Sequence, residues 1–108
     1  MMQEIQQQHF VDDEGNPAGG STSGRGISIS WQNGPLQKSE GGTRLEPNGA
    51  FVEGVIAAAI GRLEHYQESK FACDWNETAL GHLWAALAAL EARTEERTNR
   101  GVEGTHEL

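Results

Sequence analysis

The sequence predicts an α+β fold: a small antiparallel β-sheet in the N-terminal half, then a long antiparallel helical hairpin, in a protein that associates with copies of itself. Three observations carry this. Ile27-Ser-Ile-Ser-Trp31 alternates apolar and polar residues, with β-branched and aromatic side chains, as a half-buried strand does. After Ala50 the apolar residues recur at helical spacing. Leu80, Leu83, Leu87 and Leu90 then alternate spacings of three and four, the seam of two packed antiparallel helices.

Residues 1–108 read as a single domain without an internal repeat, with strands and loops over residues 1–36. Glu4 to Val11 alternates weakly and is the first strand expected. Asp12 to Arg25 is rich in Gly, Ser, Asp and Pro, which is loop chemistry, so the two strands are expected to pair as a long-looped hairpin. Such a hairpin is marginal alone and needs helices or a partner chain. Residues 37–49 form a glycine-rich loop, too long for a mere connection.

A helix over residues 50–67 is marked by Phe51, Val52, Val55, Ile56, Ala59, Ile60 and Leu63, with Asn48 as its expected N-cap. Gly54, Ala58 and Gly61 make a row of small residues on it, either tolerated or set for close approach of a helix or ligand. Asp74 and Glu77 have capping-box spacing, opening a second helix over residues 75–99. Gly101 stands where a C-cap is expected, and residues 100–108 form an irregular tail.

Hydrophobic residues are only 36 % of the 108, below the usual globular range, and apolar side chains gather in the second half. A lone protomer of this size has a thin core, which association relieves. The net charge of −8 argues against a DNA binder, which needs Lys and Arg against the phosphates. A local basic cluster still suits a small anion, because salt screens distant charges. One cysteine, Cys73, forms no disulfide within the chain and no zinc framework, and its expected role is a buried thiol. No apolar run has signal-peptide or membrane-span length, so a cytoplasmic setting without a membrane partner is expected.

At the end of the second helix the leucine stripe gives way to Arg93, Arg97 and Arg100, spaced by four and three on one face. Arginine's planar fork suits phosphate oxygens, so the stripe reads as a pocket wall, greasy at one end and cationic at the other. Glu91, Glu95 and Glu96 interleave, and from spacing alone a solvated helix end outweighs the pocket. His65, Tyr66, Phe71, Trp75 and Asn76 gather at the junction of the helices. Aromatic faces stack on bases, and an asparagine amide reads a base edge or a ribose hydroxyl. Phe71 and Trp75 are expected to plug the hairpin instead; for Tyr66 and Asn76 the two roles stand level. No phosphate loop, nucleophile elbow or zincin pair is present, so no catalytic residue, metal or cofactor is expected.

Several strings resemble the first-described Thoeris anti-defence family of phages: Trp31-Gln-Asn-Gly-Pro-Leu36, Glu46-Pro-Asn-Gly-Ala-Phe-Val-Glu53, Arg62-Leu-Glu-His-Tyr-Gln67, Lys70-Phe-Ala-Cys73, and Arg93 through His106. The resemblance spans roughly residue 27 to the end. It implies a sponge that binds cyclic ADP-ribose isomers, notably glycocyclic ADP-ribose made from NAD by bacterial TIR-domain proteins, and holds them uncleaved in the bacterial host cytoplasm. It also implies dimers that assemble into hexamers, with cyclic oligonucleotides of the CBASS defence bound at separate sites by some members. Carried over, Arg93 and Arg97 hold the pyrophosphate, Asn76 hydrogen-bonds the ligand, Tyr66 or His65 stacks on the adenine, and Arg44 closes over it. Against this sponge stand a dimeric helical-hairpin module for a partner protein and, last, an enzyme that degrades the signal.

Overall fold

A computed structural model describes residues 4–37 and 42–108. The chain divides into two compact units, residues 1–51 with 100–108, and residues 52–99. In the first, strands β1 (Gln6–Val11), β2 (Pro17–Gly24) and β3 (Ile27–Asn33) form one antiparallel sheet in that order. The long-looped hairpin expected between β1 and β3 does not form. Residues 17–24, expected as loop, are the central strand, and each outer strand pairs with them.

Small residues make that central strand fit. A Cβ on Gly20 (φ 137°) would run into the Gln8 carbonyl of β1, so glycine here lets the backbones close up. Thr22, 6 % exposed, lies opposite Gln7 on one side and Ile29 on the other. The Trp31 indole N–H donates to Thr22 Oγ1 (2.9 Å), whose hydroxyl donates to Gln7 Oε1 (3.2 Å). One line of polar side chains thus ties all three strands. Ala50 extends the sheet by a parallel bridge to Trp31: its N–H donates to the Ser30 carbonyl (2.7 Å), and Gln32 N–H donates to its own (3.0 Å).

The β1–β2 turn is held by Asp12. Its Oδ1 accepts the backbone N–H groups of Glu14 and Asn16, each at 2.9 Å. The Asn16 bond, chief among these, holds the Asp12 carboxyl below its ordinary value. A carboxylate depressed on folding stabilises above its unfolded pKa, and that support is lost as pH falls through the folded value. Protection of the Glu14 and Asn16 amides, relative to their intrinsic exchange rates, is therefore expected to fall below about pH 4, and Asp12→Asn to remove that change in protection. NMR-detected exchange over that range checks it.

Asn48, expected as a helix cap, is used differently. Its Oδ1 accepts Asn33 N–H and its Nδ2 donates to the Asn33 carbonyl, both at 2.8 Å, so it closes the end of β3. The first helix accordingly begins at Val52 rather than residue 50. Of the expected glycine-rich loop, Gln37 and Arg44 form an antiparallel bridge; residues 38–41 lie outside the described residues.

The second unit is the helical hairpin, α1 (Val52–Gln67) and α2 (Asp74–Asn99). Ile60 (3 % exposed) and Leu80 (8 %) are its buried apolar residues, with Leu63, Leu83, Leu87 and Leu90 half-buried. Nothing lies within 4 Å of where a Cβ on Gly54 or Gly61 would stand, so no other part of the chain uses the small-residue row closely. Gly101, just past α2, has φ 77°, the left-handed cap conformation expected there.

Candidate functional site

On α2 the buried and half-buried side chains run Asn76, Leu80, Leu83, Leu87, Leu90, Thr94, Arg97 at spacings of four and three, with Ala79 beside Leu80. The apolar stripe thus has a polar residue at each end: an amide where the hairpin is closed, a cation where it is open. Gln67 occupies the matching place on α1, after Ile56, Ile60 and Leu63. Polar residues at seam positions beside a turn were visible in the sequence, but Gln67 was not among the expected site residues.

Gln67 organises the closed end. Its Oε1 accepts Cys73 N–H (3.0 Å) and an Asn76 Nδ2 hydrogen (2.9 Å). Its Nε2 donates to the Cys73 carbonyl (3.1 Å) and to Glu77 Oε1 (2.8 Å). Glu77 is therefore not half of a capping box with Asp74. Cys73 precedes the first helical residue, and Gln67 takes the N–H that a capping-box carboxylate would accept. Cys73 itself is exposed, not the buried thiol expected, because it sits in the interhelical turn.

Phe71 and Trp75, expected to plug this end, are 70 % and 83 % exposed. The amide network fills the place they would have taken. Tyr66 is partly exposed; Arg62 Nε donates to its hydroxyl (3.2 Å), and the guanidinium carbon stands 4.9 Å from the ring centroid. One ring face thus carries a cation. Spacing of four on one helix was the signal for Arg62, which was not expected at the site. His65 and Tyr66 have ring centroids 6.2 Å apart at a 50° tilt, so the two rings do not stack on each other.

Beside this network runs a groove of about 600 Å³ lined by Glu64, Gln67, Glu68, Glu77, Leu80 and Trp84. Three carboxylates make it unfriendly to a pyrophosphate on its own. Arg93, exposed, and Arg97, half-buried, are far along the same helix. Seventeen residues separate Asn76 from Arg93, about 26 Å at 1.5 Å per residue. The hairpin therefore brings together Asn76, Tyr66 and His65 at one end and Arg93 with Arg97 at the other. α2 is 26 residues and α1 is 16, so the arginines lie on the turns that outrun α1.

Arg100 leaves the stripe. α2 ends at Asn99, and the Arg100 guanidinium donates to the Leu108 carbonyl (2.6 Å). Arg44 belongs to the first unit, where both its terminal nitrogens meet the Glu103 carboxylate, at 2.6 and 3.1 Å. That hydrogen-bonded partner raises its pKa above the ordinary arginine value. Among the described residues no group of three His, Cys, Asp or Glu side chains is placed to hold a metal, and no helix is long and apolar enough to cross a membrane.

Residues 24–95 match the family model described as Acb2/Tad1, hairpin domain. The chain is 42 % identical over 85 residues, 79 % of its length, to "Thoeris anti-defense 1" of Bacillus phage SBSphiJ7. It spans 56 % of that relative's length. The matched region holds α1, all of α2 but its last four residues, the amide network at their closed end and Arg93, and with most of the chain aligned to that relative, this protein belongs to the Acb2/Tad1 hairpin-domain family.

Proposed function

We propose that this protein is an anti-defence sponge: it binds a cyclic ADP-ribose-type signal, glycocyclic ADP-ribose, in the host cytoplasm and holds it without cleaving it, blocking Thoeris immunity. The observation that carries the reading is the single stripe on α2 with an amide at one end and arginines at the other, in a chain similar to a Thoeris anti-defence protein. Sequestration needs cations, a stacking face and burial, not acid–base groups matched to a transition state.

The same geometry supports a homodimer with shared sites. One hairpin holds its amide and its arginines about 26 Å apart, too far for one such ligand. Two α2 helices packed antiparallel put Arg93 and Arg97 of one copy beside Asn76, Tyr66 and the acidic groove of the other. The partner's guanidinium groups offset the carboxylates there. Pairing position 76 with 97 places the two-fold axis between Ala86 and Leu87. Ala85, Ala86, Ala88 and Ala89 are exposed around that point, small enough for close helix approach. Half-buried Leu83, Leu87 and Leu90 supply apolar surface for it. A hexamer and a second site for cyclic oligonucleotides extend this reading; Arg44, held by Glu103, is outside the set on which it rests.

Isothermal titration with glycocyclic ADP-ribose is the test, followed by chromatography of ligand released by heat. The expected result is submicromolar binding, about −8 kcal/mol or stronger, with the ligand recovered intact. Recovery of a linearised product overturns the sponge in favour of an enzyme. Absence of any heat of binding leaves the arginines as a solvated helix end and favours a hairpin that docks a partner protein.

A further inference from the structure

The hydrogen bonds at the closed end of the hairpin have only one consistent direction. Backbone groups fix it. Cys73 N–H must donate, so the Gln67 atom it meets at 3.0 Å is the oxygen. The Cys73 carbonyl and the Glu77 carboxylate must accept, so the atom facing them at 3.1 and 2.8 Å is the Gln67 nitrogen. The Gln67 oxygen in turn faces the Asn76 amide at 2.9 Å, and an oxygen needs a donor there. That atom is Asn76 Nδ2, and the Phe71 carbonyl at 3.4 Å asks for the same.

The Asn76 nitrogen is thereby turned inward and its Oδ1 outward. Among the described residues Oδ1 makes no hydrogen bond, and no buried side-chain oxygen is left unsatisfied, so this atom is open to solvent. An asparagine free to flip offers a ligand either a donor or an acceptor. This one offers an acceptor alone.

We infer that Gln67 is a positioning residue that locks Asn76 with its oxygen toward the ligand, and that the site consequently selects a molecule with an N–H or O–H donor at that point. The inference rests on the reading of Asn76 as a ligand contact. An exocyclic adenine amine or a ribose hydroxyl satisfies it; a phosphate oxygen or a purine carbonyl meets oxygen with oxygen and is rejected. Gln67 does not touch the ligand in this account. It acts through Asn76.

Two measurements decide it. In the unliganded protein, the Asn76 side-chain NH2 resonances are followed by ¹⁵N NMR in the unaltered chain and in Gln67→Met. Exchange with water is expected to rise about tenfold in the variant as the inward bond is lost. Unchanged exchange overturns the lock whether or not the protein binds ligand. Affinity for glycocyclic ADP-ribose is then measured in a double-mutant cycle. Gln67→Met is expected to weaken binding about five- to tenfold in the unaltered background and not at all in Asn76→Ala. Equal losses in both backgrounds mean that Gln67 merely props the turn, and overturn the inference.

Because Gln67 also holds the Cys73 backbone, a change at its partner serves as the control. Glu77→Gln presents an amide oxygen that still accepts from Gln67 Nε2 and leaves the bonds of Gln67 to Cys73 and Asn76 in place. It is expected to bind within about twofold of the unaltered protein. A loss as large as that of Gln67→Met overturns the inference. If the unaltered protein shows no affinity for the ligand, the functional reading falls and the exchange measurement still judges the lock.

Discussion

Co-expressed Asn76→Ala and Arg97→Ala chains are expected to recover about a quarter of the binding sites that neither variant retains alone, the fraction a two-fold dimer dictates. Each homodimer has two sites, and each of them lacks one group. A mixed dimer has one site lacking both groups and one lacking neither. With random pairing about half the dimers are mixed, so about one site in four is intact. Loss of Arg97 is expected to cost about tenfold or more in affinity, since a hydrogen bond to a charged group contributes about 1.5–3 kcal/mol, and loss of Asn76, which meets a neutral donor, about three- to tenfold. Titration of the co-purified mixture then shows a minority of tight sites against a weak background. If each chain holds its ligand alone, or if the two residues serve different ligands, no mixture restores a tight site. Arg97→Lys is expected to recover little, because the ammonium lacks the fork that meets two oxygens.

Ile60→Ala is expected to have the largest effect on stability. Ile60 is 3 % exposed and packs in a seam where Leu80 is the other buried apolar residue; no described side chain in the protein is fully buried. Removing a buried isoleucine costs about 2–5 kcal/mol. In a unit of this size each kcal/mol lowers Tm by about 4–8 °C, so a fall of 10 °C or more is expected by circular dichroism at 222 nm. The fall should deepen on dilution, because association stabilises the folded chain by mass action. Gly61→Ala, the next position, should act oppositely. Its Cβ meets nothing in the chain, and alanine favours the helix by up to about 1 kcal/mol.

The helices were legible because periodicity records burial directly: Leu80, Leu83, Leu87 and Leu90 wrote the seam, and Gly101 wrote its end. The central strand was not. Its residues Pro-Ala-Gly-Gly-Ser-Thr-Ser-Gly carry the composition of a loop, and what makes them a strand is the close fit of β1 around Gly20, a fact of three dimensions. Phe71 and Trp75 misled for a related reason. Their apolarity marked them for burial, whereas the helix ends needed hydrogen-bond partners for backbone groups, and amides do that better than rings. The sequence already groups Arg93 and Arg97 on one face at the end of the second helix and His65, Tyr66 and Asn76 at the junction of the helices. The length of α2 adds the distance between the two groups, about 26 Å from Asn76 to Arg93.

That count makes α2 a ruler. Asn76 and Arg97 stand 21 positions apart, three repeats of seven, so both face the same way. An insertion or deletion of seven residues between them keeps the phase and changes the span by about 10 Å, which a ligand of fixed size does not tolerate within one chain. In an antiparallel pair the same change is made twice, once in each helix, and cancels at the site: the amide of one copy and the arginine of the other move together with the sliding register. In the proposed dimer, hairpins of different length would therefore grip a molecule of the same dimensions, provided that their lengths change in sevens. An indel of one or two residues would instead rotate the arginines off the shared face and sever that grip while leaving the pairing of the sheet as it is.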